Sequence, residues 1–423
     1  MREMKDSGVE WIGEIPVDWK LNKIKHHFSI SSGTTPKSDE PEYWDGDIVW
    51  ITPADFKTDD VYVSDGHRNL SQEGYRVSSL QLVPAGSIIF SKRAPIGQVV
   101  INAIDLCTNQ GCLTAVLNDD SDVRFYRYVM SIATEEFELA GSGTTFKEIS
   151  ATSFGNILLP LTSKQEQTKC ADYLDVKSSK IDEIIEKQQA IIEKLKEYKL
   201  SIITEAVTSG INPDVEMKDS GSVWFGSIPI NWQMKRLKYV FHIQKDIAGE
   251  EGHTVLSITQ RGIIPKDFSN NEGQFANSYA NYQLVHKGDF AMNHMDLLTG
   301  WVDISKYEGV TSPDYRVFVL NDKNGMCPEY YLYMMQMCYS ARIFYGLGQG
   351  VSGMGRWRLQ ADKFLNFHIP IPPYDEQKII ADYITDKVNH IEVEIDKRNK
   401  LIKKYQEYKK SLIYEVVTGK KEV

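Results

Sequence analysis

The chain has 423 residues, 42% of them hydrophobic and 25% charged, and carries a net charge of −10 at pH 7. At about 150 residues per domain this length holds two or three compact units, and the composition excludes a disordered chain or a fibre. The acidic balance argues against DNA binding through a broad phosphate-coating surface, so any contact with nucleic acid must be local or shared with a basic partner.

The first residues, Met1 to Asp6, are charged and lack an apolar core, and no run of 18 apolar residues occurs anywhere. Neither secretion nor membrane spanning is expected from such a pattern. Cys107, Cys112, Cys170, Cys327 and Cys338 are odd in number, scattered and never spaced as CxxC. They read as reduced thiols of a cytoplasmic protein.

The chain repeats itself once. Met4-Lys5-Asp6-Ser7-Gly8, with Trp11, Gly13, Ile15, Pro16, Trp19 and Phe28, recurs 213 positions on as Met217-Lys218-Asp219-Ser220-Gly221 with Trp224, Gly226, Ile228, Pro229, Trp232 and Phe241. A second element recurs 210 positions on. Pro160, Glu166-Gln167, Ala171-Asp172-Tyr173 and Glu197-Tyr198-Lys199 match Pro370, Glu376-Gln377, Ala381-Asp382-Tyr383 and Glu407-Tyr408-Lys409. Between these frames lie two inserts, roughly residues 29–155 and 242–365, which share little beyond isolated residues such as Gly97 and Gly300. Short β-rich runs such as Asp47 to Ile51 and Ser87 to Phe90, broken by Gly, Pro, Asp and Asn, alternate in them with helical patterns near 124–138 and 329–345. Each insert reads as an α+β globule.

The element after each insert is helical. Ile181, Ile184, Ile191, Leu195, Tyr198 and Ile202 recur at steps of three and four or their sum, as do Ile384, Val388, Ile391, Ile395, Ile402, Tyr405, Tyr408 and Leu412. From about Lys164 to Val207 one continuous helix would reach roughly 65 Å at 1.5 Å per residue. Two such helices would bury their apolar stripes on each other, antiparallel, within one chain, or else on a second copy of the chain through the same seam.

Several motifs mimic chemistry that the sequence does not complete. Gly348-Gln349-Gly350-Val351-Ser352-Gly353 fits GxGxxG but follows a helical run, so it reads as a loop, like Gly141-Ser142-Gly143-Thr144-Thr145. Ile371-Pro372-Pro373-Tyr374 looks like the Pro-Pro-Tyr tetrapeptide of amino-methyltransferases, yet isoleucine cannot accept a hydrogen bond from a base. Ser312-Pro313-Asp314-Tyr315 lacks the second proline. GxxxxGK[ST], HExxH and GxSxG are absent, and Cys107 with Cys112 has no matching His or Cys pair for zinc.

Two dissimilar globules alternate with two similar helices. The phrases Trp11-Ile12-Gly13-Glu14-Ile15-Pro16-Val17-Asp18-Trp19, Ser32-Gly33-Thr34-Thr35-Pro36, Gly143-Thr144-Thr145 and Leu159-Pro160-Leu161 before Glu166-Gln167 accompany them. The whole chain thereby resembles the specificity subunits of Type I restriction-modification enzymes. The resemblance implies an α+β fold with two target recognition domains separated by two long antiparallel coiled-coil helices, in a pseudo-two-fold repeat. The domains would be 1–160 and 213–372, and the helices 161–212 and 373–423. Each domain would read one half of an asymmetric split DNA site, while the helices set the spacer and dock two methyltransferase subunits. The resemblance also names restriction or translocase subunits as further partners. This chain would itself be non-catalytic and bind no cofactor, with S-adenosylmethionine, ATP and Mg on the partner subunits. Candidate DNA-binding residues are polar side chains in turns beside predicted strands or in the closing loops. They are Lys92, Arg93, Asn109, Gln110, Thr145 and Lys147 in the first insert, and Asn293, His294, Tyr315, Arg316, Arg356 and Arg358 in the second. Trp357, between two arginines, suits either stacking on sugar or base, or the core. Competing readings are a coiled-coil scaffold that binds no DNA and the recognition subunit of another two-component restriction enzyme.

Overall fold

The structure, a computed structural model, describes residues 2–57, 61–93, 95–143, 147–268, 276–349 and 357–423. The chain divides into two compact units, Met1–Gln188 with Lys400–Val423, and Gln189–Asn399. Each is built on an antiparallel sheet. In the first unit this comprises β1 (Phe28–Ser32), β2 (Ile88–Ser91), β3 (Val99–Asn102) and β4 (Cys112–Leu117), in the spatial order β1-β4-β2-β3. The short strand Tyr62–Val63 extends the far edge, parallel to β3. In the second unit β5 (Phe241–Gln244), β6 (Phe290–Met292), β7 (Val302–Ile304) and β8 (Arg316–Leu320) take the same order, β5-β8-β6-β7.

The run Ile88-Ile89-Phe90 is continuously apolar because β2 is buried on both faces. Ile88 and Phe90 face a core with Phe125, Phe137 and Phe154, whereas Ile89 packs with Ile51, Val100 and Leu106 on the other side. The second unit repeats the division, with Phe290 and Met292 on one face and Ala291 on the other.

On the larger core lies a helix, α1 (Val123–Ile132) in the first unit; its start is capped by the Asp122 side chain, which accepts from the Arg124 amide. Its counterpart α3 (Pro328–Ser340) begins with proline, which suits the first helical position because its missing N–H would have no partner there. Between and after them run the long helices α2 (Lys164–Ser209) and α4 (Tyr374–Val417). The continuous helix expected from about Lys164 is therefore present, and it ends just before Gly210, whose φ of +77° lets the chain turn away.

The repeated Glu-Gln dipeptide has a structural role at the start of each long helix. Gln167 accepts from the Asp122 amide at 2.9 Å and donates to the Thr162 carbonyl at 3.0 Å. Gln377 accepts from the Cys327 amide at 3.0 Å and donates to the Pro372 carbonyl at 3.0 Å. Each buried glutamine thus ties the entry of α1 or α3 to the entry of a long helix.

Within each unit a stretch of α2 packs antiparallel to a stretch of α4. In the first, Lys409 meets both oxygens of Asp182 at 2.6 and 2.7 Å while Cys170 lies against the Val416 carbonyl. In the second, Lys199 meets Glu392 at 2.5 Å. Lys199 and Lys409, like Asp182 and Glu392, stand 210 positions apart, so the ion pair itself is duplicated. The seam differs from the expected one at several points. Ile185 and Ile192 are buried rather than Ile184 and Ile191, which are half-buried, and Tyr198 and Tyr408 are 58% and 54% exposed. Steps of four and three from Ile181 reach Ile185, Gln188, Ile192, Leu195, Lys199 and Ile202, a regular heptad on which Tyr198 lies one residue off. Among the described residues no helix is long and apolar enough to cross a membrane.

Candidate nucleic-acid interface

Some of the candidate residues fall on one end of the sheet that the two units share. The Ile149 amide donates to the Lys92 carbonyl and the Leu359 amide to the His294 carbonyl, each at 3.0 Å. Lys92, two residues past Phe90, therefore corresponds to His294, two past Met292, and Glu148 corresponds to Arg358. Strand register completes the match. Phe90 lies opposite Leu113, and Met292 opposite Arg316. One end of the common sheet, where β2 or β6 leaves and β4 or β8 enters, thus carries the candidates in both units.

In the first unit Lys92 is only 13% exposed and forms an ion pair with Glu148 at 2.8 Å. Arg93 is half-buried and bridges Glu148 through its backbone, and Lys147 is exposed beside it. The neighbouring loop is joined through the Lys92 amide, which donates to the Gly111 carbonyl. There the Asn109 side chain accepts from the Gly111 amide at 2.8 Å, shaping the turn, and the exposed Gln110 accepts from the Thr35 hydroxyl. Thr35 belongs to the phrase Ser32-Gly33-Thr34-Thr35-Pro36. Gly33 has no room for a side chain, since a Cβ would stand 2.0 Å from the Thr108 carbonyl oxygen. Thr145 lies outside the described residues.

In the second unit the structure gathers His294, Tyr315, Arg316 and Arg358 around one cavity of about 220 Å³, together with Lys245 and Gln283. Asn293 stays apart. Its side chain accepts from the Met295 and Asp296 amides and shapes the turn after β6. Arg316 is 6% exposed, and its Nη2 donates to the Leu359 carbonyl at 2.8 Å while the guanidinium lies over Phe364. Burial pulls its pKa down to about 10. His294 is pushed down to about 4, first by burial and then by Arg316, Arg358 and Lys245, and its Nδ1 is buried with no partner among the described residues. Arg358 is exposed, its backbone pairing with Gln349. Arg356 lies outside the described residues. Trp357 packs half-buried on Tyr345 and donates to the Tyr345 carbonyl at 2.7 Å, filling the space that the absent side chain of Gly348 leaves.

Sequence reasoning missed Lys245 and Glu148. Lys245 directly follows β5, and a lysine after a strand is a common surface pattern that nothing local distinguishes. The glycine-rich stretch from Gly348 follows a short helix, Ile343–Leu347, rather than a strand. Ile371 ends a strand and Tyr374 opens α4, so the Pro-Pro-Tyr phrase is a joint. Ser312 to Tyr315 form a turn in which the Tyr315 amide donates to the Ser312 carbonyl at 2.9 Å. All five cysteines are free and buried, and burial pushes the Cys107 thiol up to about 11 and that of Cys170 to about 12. Among the described residues no group of three or more His, Cys, Asp or Glu gathers as a metal site.

Known proteins resemble this arrangement. A family model described as the Type I restriction modification DNA specificity domain matches residues 16–198 and 229–404. The Type I restriction enzyme MjaIX specificity subunit of Methanocaldococcus jannaschii is 36% identical over 190 residues, 44% of this chain and 43% of that one. The putative MjaX specificity subunit of the same organism is 28% identical over 203 residues, 45% of its own length, so these matches span less than half of either relative. The MjaVIII specificity subunit, also from that organism, is 22% identical over 428 residues, 96% of this chain and 93% of the relative. Among solved structures, a chain from work on complex assembly and conformational transition of the type I R-M system superposes with a TM-score of 0.69 at 11% identity. It covers 95% of this chain and 98% of its own. The HsdS subunit from Thermoanaerobacter tengcongensis gives 0.50 at 12%, covering 96% and 98%. Those identities speak for the fold alone. With both repeats of the family model covering most of the sequence on a shared two-unit architecture, the chain belongs to the Type I restriction modification DNA specificity domain family.

Proposed function

We propose that this chain is the DNA-reading, non-catalytic subunit of a Type I restriction-modification complex. Each insert reads one half of an asymmetric split site. The helices set the spacing of the two halves and dock two methyltransferase subunits, which with any restriction subunits supply S-adenosylmethionine, ATP and Mg chemistry. One observation carries the reading. The two units repeat the same sheet order, glutamine clamps and helix ion pair, yet at the same end of the sheet one presents Lys92 paired with Glu148 and the other His294 with Arg358. Equal frames with unequal side chains at one exposed end suit two readers of different half-sites. A scaffold that binds no DNA gains nothing from that inequality.

The test is single-molecule methylation mapping of DNA from cells that carry the chain with its modification subunits, compared with cells lacking only the chain. A split motif, methylated in the first and unmodified in the second, is the expected result. An unchanged methylation pattern rejects the proposal.

A further inference from the structure

A guanidinium that reads a base edge has to project into a groove of the duplex. Arg316 does not project. It lines a recess while only 6% exposed, and among the described residues one of its five N–H groups has an oxygen acceptor, the Leu359 carbonyl. The same cavity is lined by Lys245, His294 and Arg358, and among the described residues no Asp or Glu lines it. Neither Arg316, Arg358 nor Lys245 forms an ion pair among the described residues. Burying a cation without a counter-ion is costly, so the site is built for an anion that arrives from outside. The first unit supplies the contrast. There the position of Arg316 holds Leu113, and the positions of His294 and Arg358 hold Lys92 and Glu148, which neutralise each other at 2.8 Å.

We propose that this recess seats a phosphodiester group of the DNA backbone, held by Arg316 from the cavity wall and by Arg358 and Lys245 around it. Phosphates protrude from a duplex and can enter a recess, whereas base edges lie within the grooves. Arg316 is then a positioning contact that carries no sequence information, and only the second unit possesses it. The inference rests on the DNA-binding reading above.

The test uses the full-length chain with its modification subunits. Binding is titrated over a range of salt against two duplexes, one carrying the mapped site and one with that site scrambled. Arg316→Leu installs the residue of the matching position in the first unit, and Arg358→Gln changes an exposed side chain, so the test stands even where the first variant fails to fold. Each variant is expected to weaken both duplexes by the same factor, about fivefold to tenfold, and to lower the slope of log K against log salt by about 0.9, one phosphate's worth. Loss confined to the specific duplex would make the arginines base readers and overturn the proposal. Unchanged affinity for both duplexes in a folded variant overturns it too. Inorganic phosphate at millimolar concentration is expected to weaken the wild type more than chloride of equal ionic strength, and to lose that advantage in Arg316→Leu. An equal advantage in both proteins also counts against the pocket. A wild-type complex that binds neither duplex instead defeats the DNA-binding reading itself, which keeps the two failures apart.

Discussion

The duplicated glutamates Glu166 and Glu376 stand at the same place in the two frames, but their surroundings predict unequal worth. Glu376 accepts from the fully buried Trp232 Nε1 at 3.0 Å and from Asn231 at 3.2 Å. Removing the carboxylate by Glu376→Ala leaves a buried indole N–H without an acceptor. A hydrogen bond to a charged group is worth about 1.5–3 kcal/mol, so a loss of about 2 kcal/mol is expected. Glu166 instead pairs with Arg2 at 2.6 Å, and the Nε1 of Trp19, which corresponds to Trp232, is already buried without a partner among the described residues. Glu166→Ala breaks one half-buried ion pair but leaves no indole N–H newly unpaired, so it should cost less, about 1 kcal/mol. The control is the neighbouring glutamine. Gln167→Ala and Gln377→Ala each strand one backbone N–H and one C=O and should cost alike, on the order of 2–4 kcal/mol. Native-state hydrogen exchange, resolved by peptide, measures all four in the intact chain. About 2 kcal/mol corresponds to roughly thirtyfold faster exchange in β5 to β8 for Glu376→Ala, with little change in β1 to β4 for Glu166→Ala. Equal costs for the two glutamates, or a larger one for Glu166, would refute the assignment of the duplicated carboxylate to its tryptophan.

Gly33→Ala places a methyl group 2.0 Å from the Thr108 carbonyl oxygen, so the loop must move; thermal unfolding should register a loss of about 2 kcal/mol. Glu148→Gln releases Lys92 from its ion pair and removes a negative charge from the proposed DNA face. Affinity for duplexes of any sequence should rise several-fold at low salt with a steeper salt dependence, and unchanged binding in a titration by fluorescence anisotropy removes Lys92 from that face. His294 titrates at about 4 when folded and near 6.5 when unfolded. The unfolded chain takes up its proton first as the pH falls, so this stabilising term is complete above pH 6.5 and is lost toward pH 4. Urea denaturation across that window should show wild type losing on the order of 2 kcal/mol more than His294→Asn, allowing for partial exposure of the ring. Parallel pH profiles for the two proteins would show that the ring is not held neutral.

The duplication, the two long helices and the α+β character of the inserts were all legible in one dimension, because each is a matter of spacing. Tryptophans at one offset mark a repeated frame, apolar residues at steps of three and four mark a helix, and the phrases around Trp11 and Glu166 carry the family. Local patterns also placed most candidate residues at strand ends. What they could not supply was partnership. Nothing near Gln167 or Gln377 announces that each ties two helix entries together, because the partner amides lie 45 and 50 residues away in the chain. Tyr198 and Tyr408 were placed on the seam and lie one residue off it, since the face a long helix buries is chosen by its neighbour. The recess shows the same limit most clearly. Lys245, His294, Arg316 and Arg358 are spread over more than a hundred residues, and each alone looks like an ordinary surface cation. Only the register of β6 against β8 puts Arg316 on the core side of the sheet, where its matching position holds Leu113. Tertiary packing decided which cation is buried without a counter-charge, because burial and pairing are properties of neighbours that the order of residues does not list.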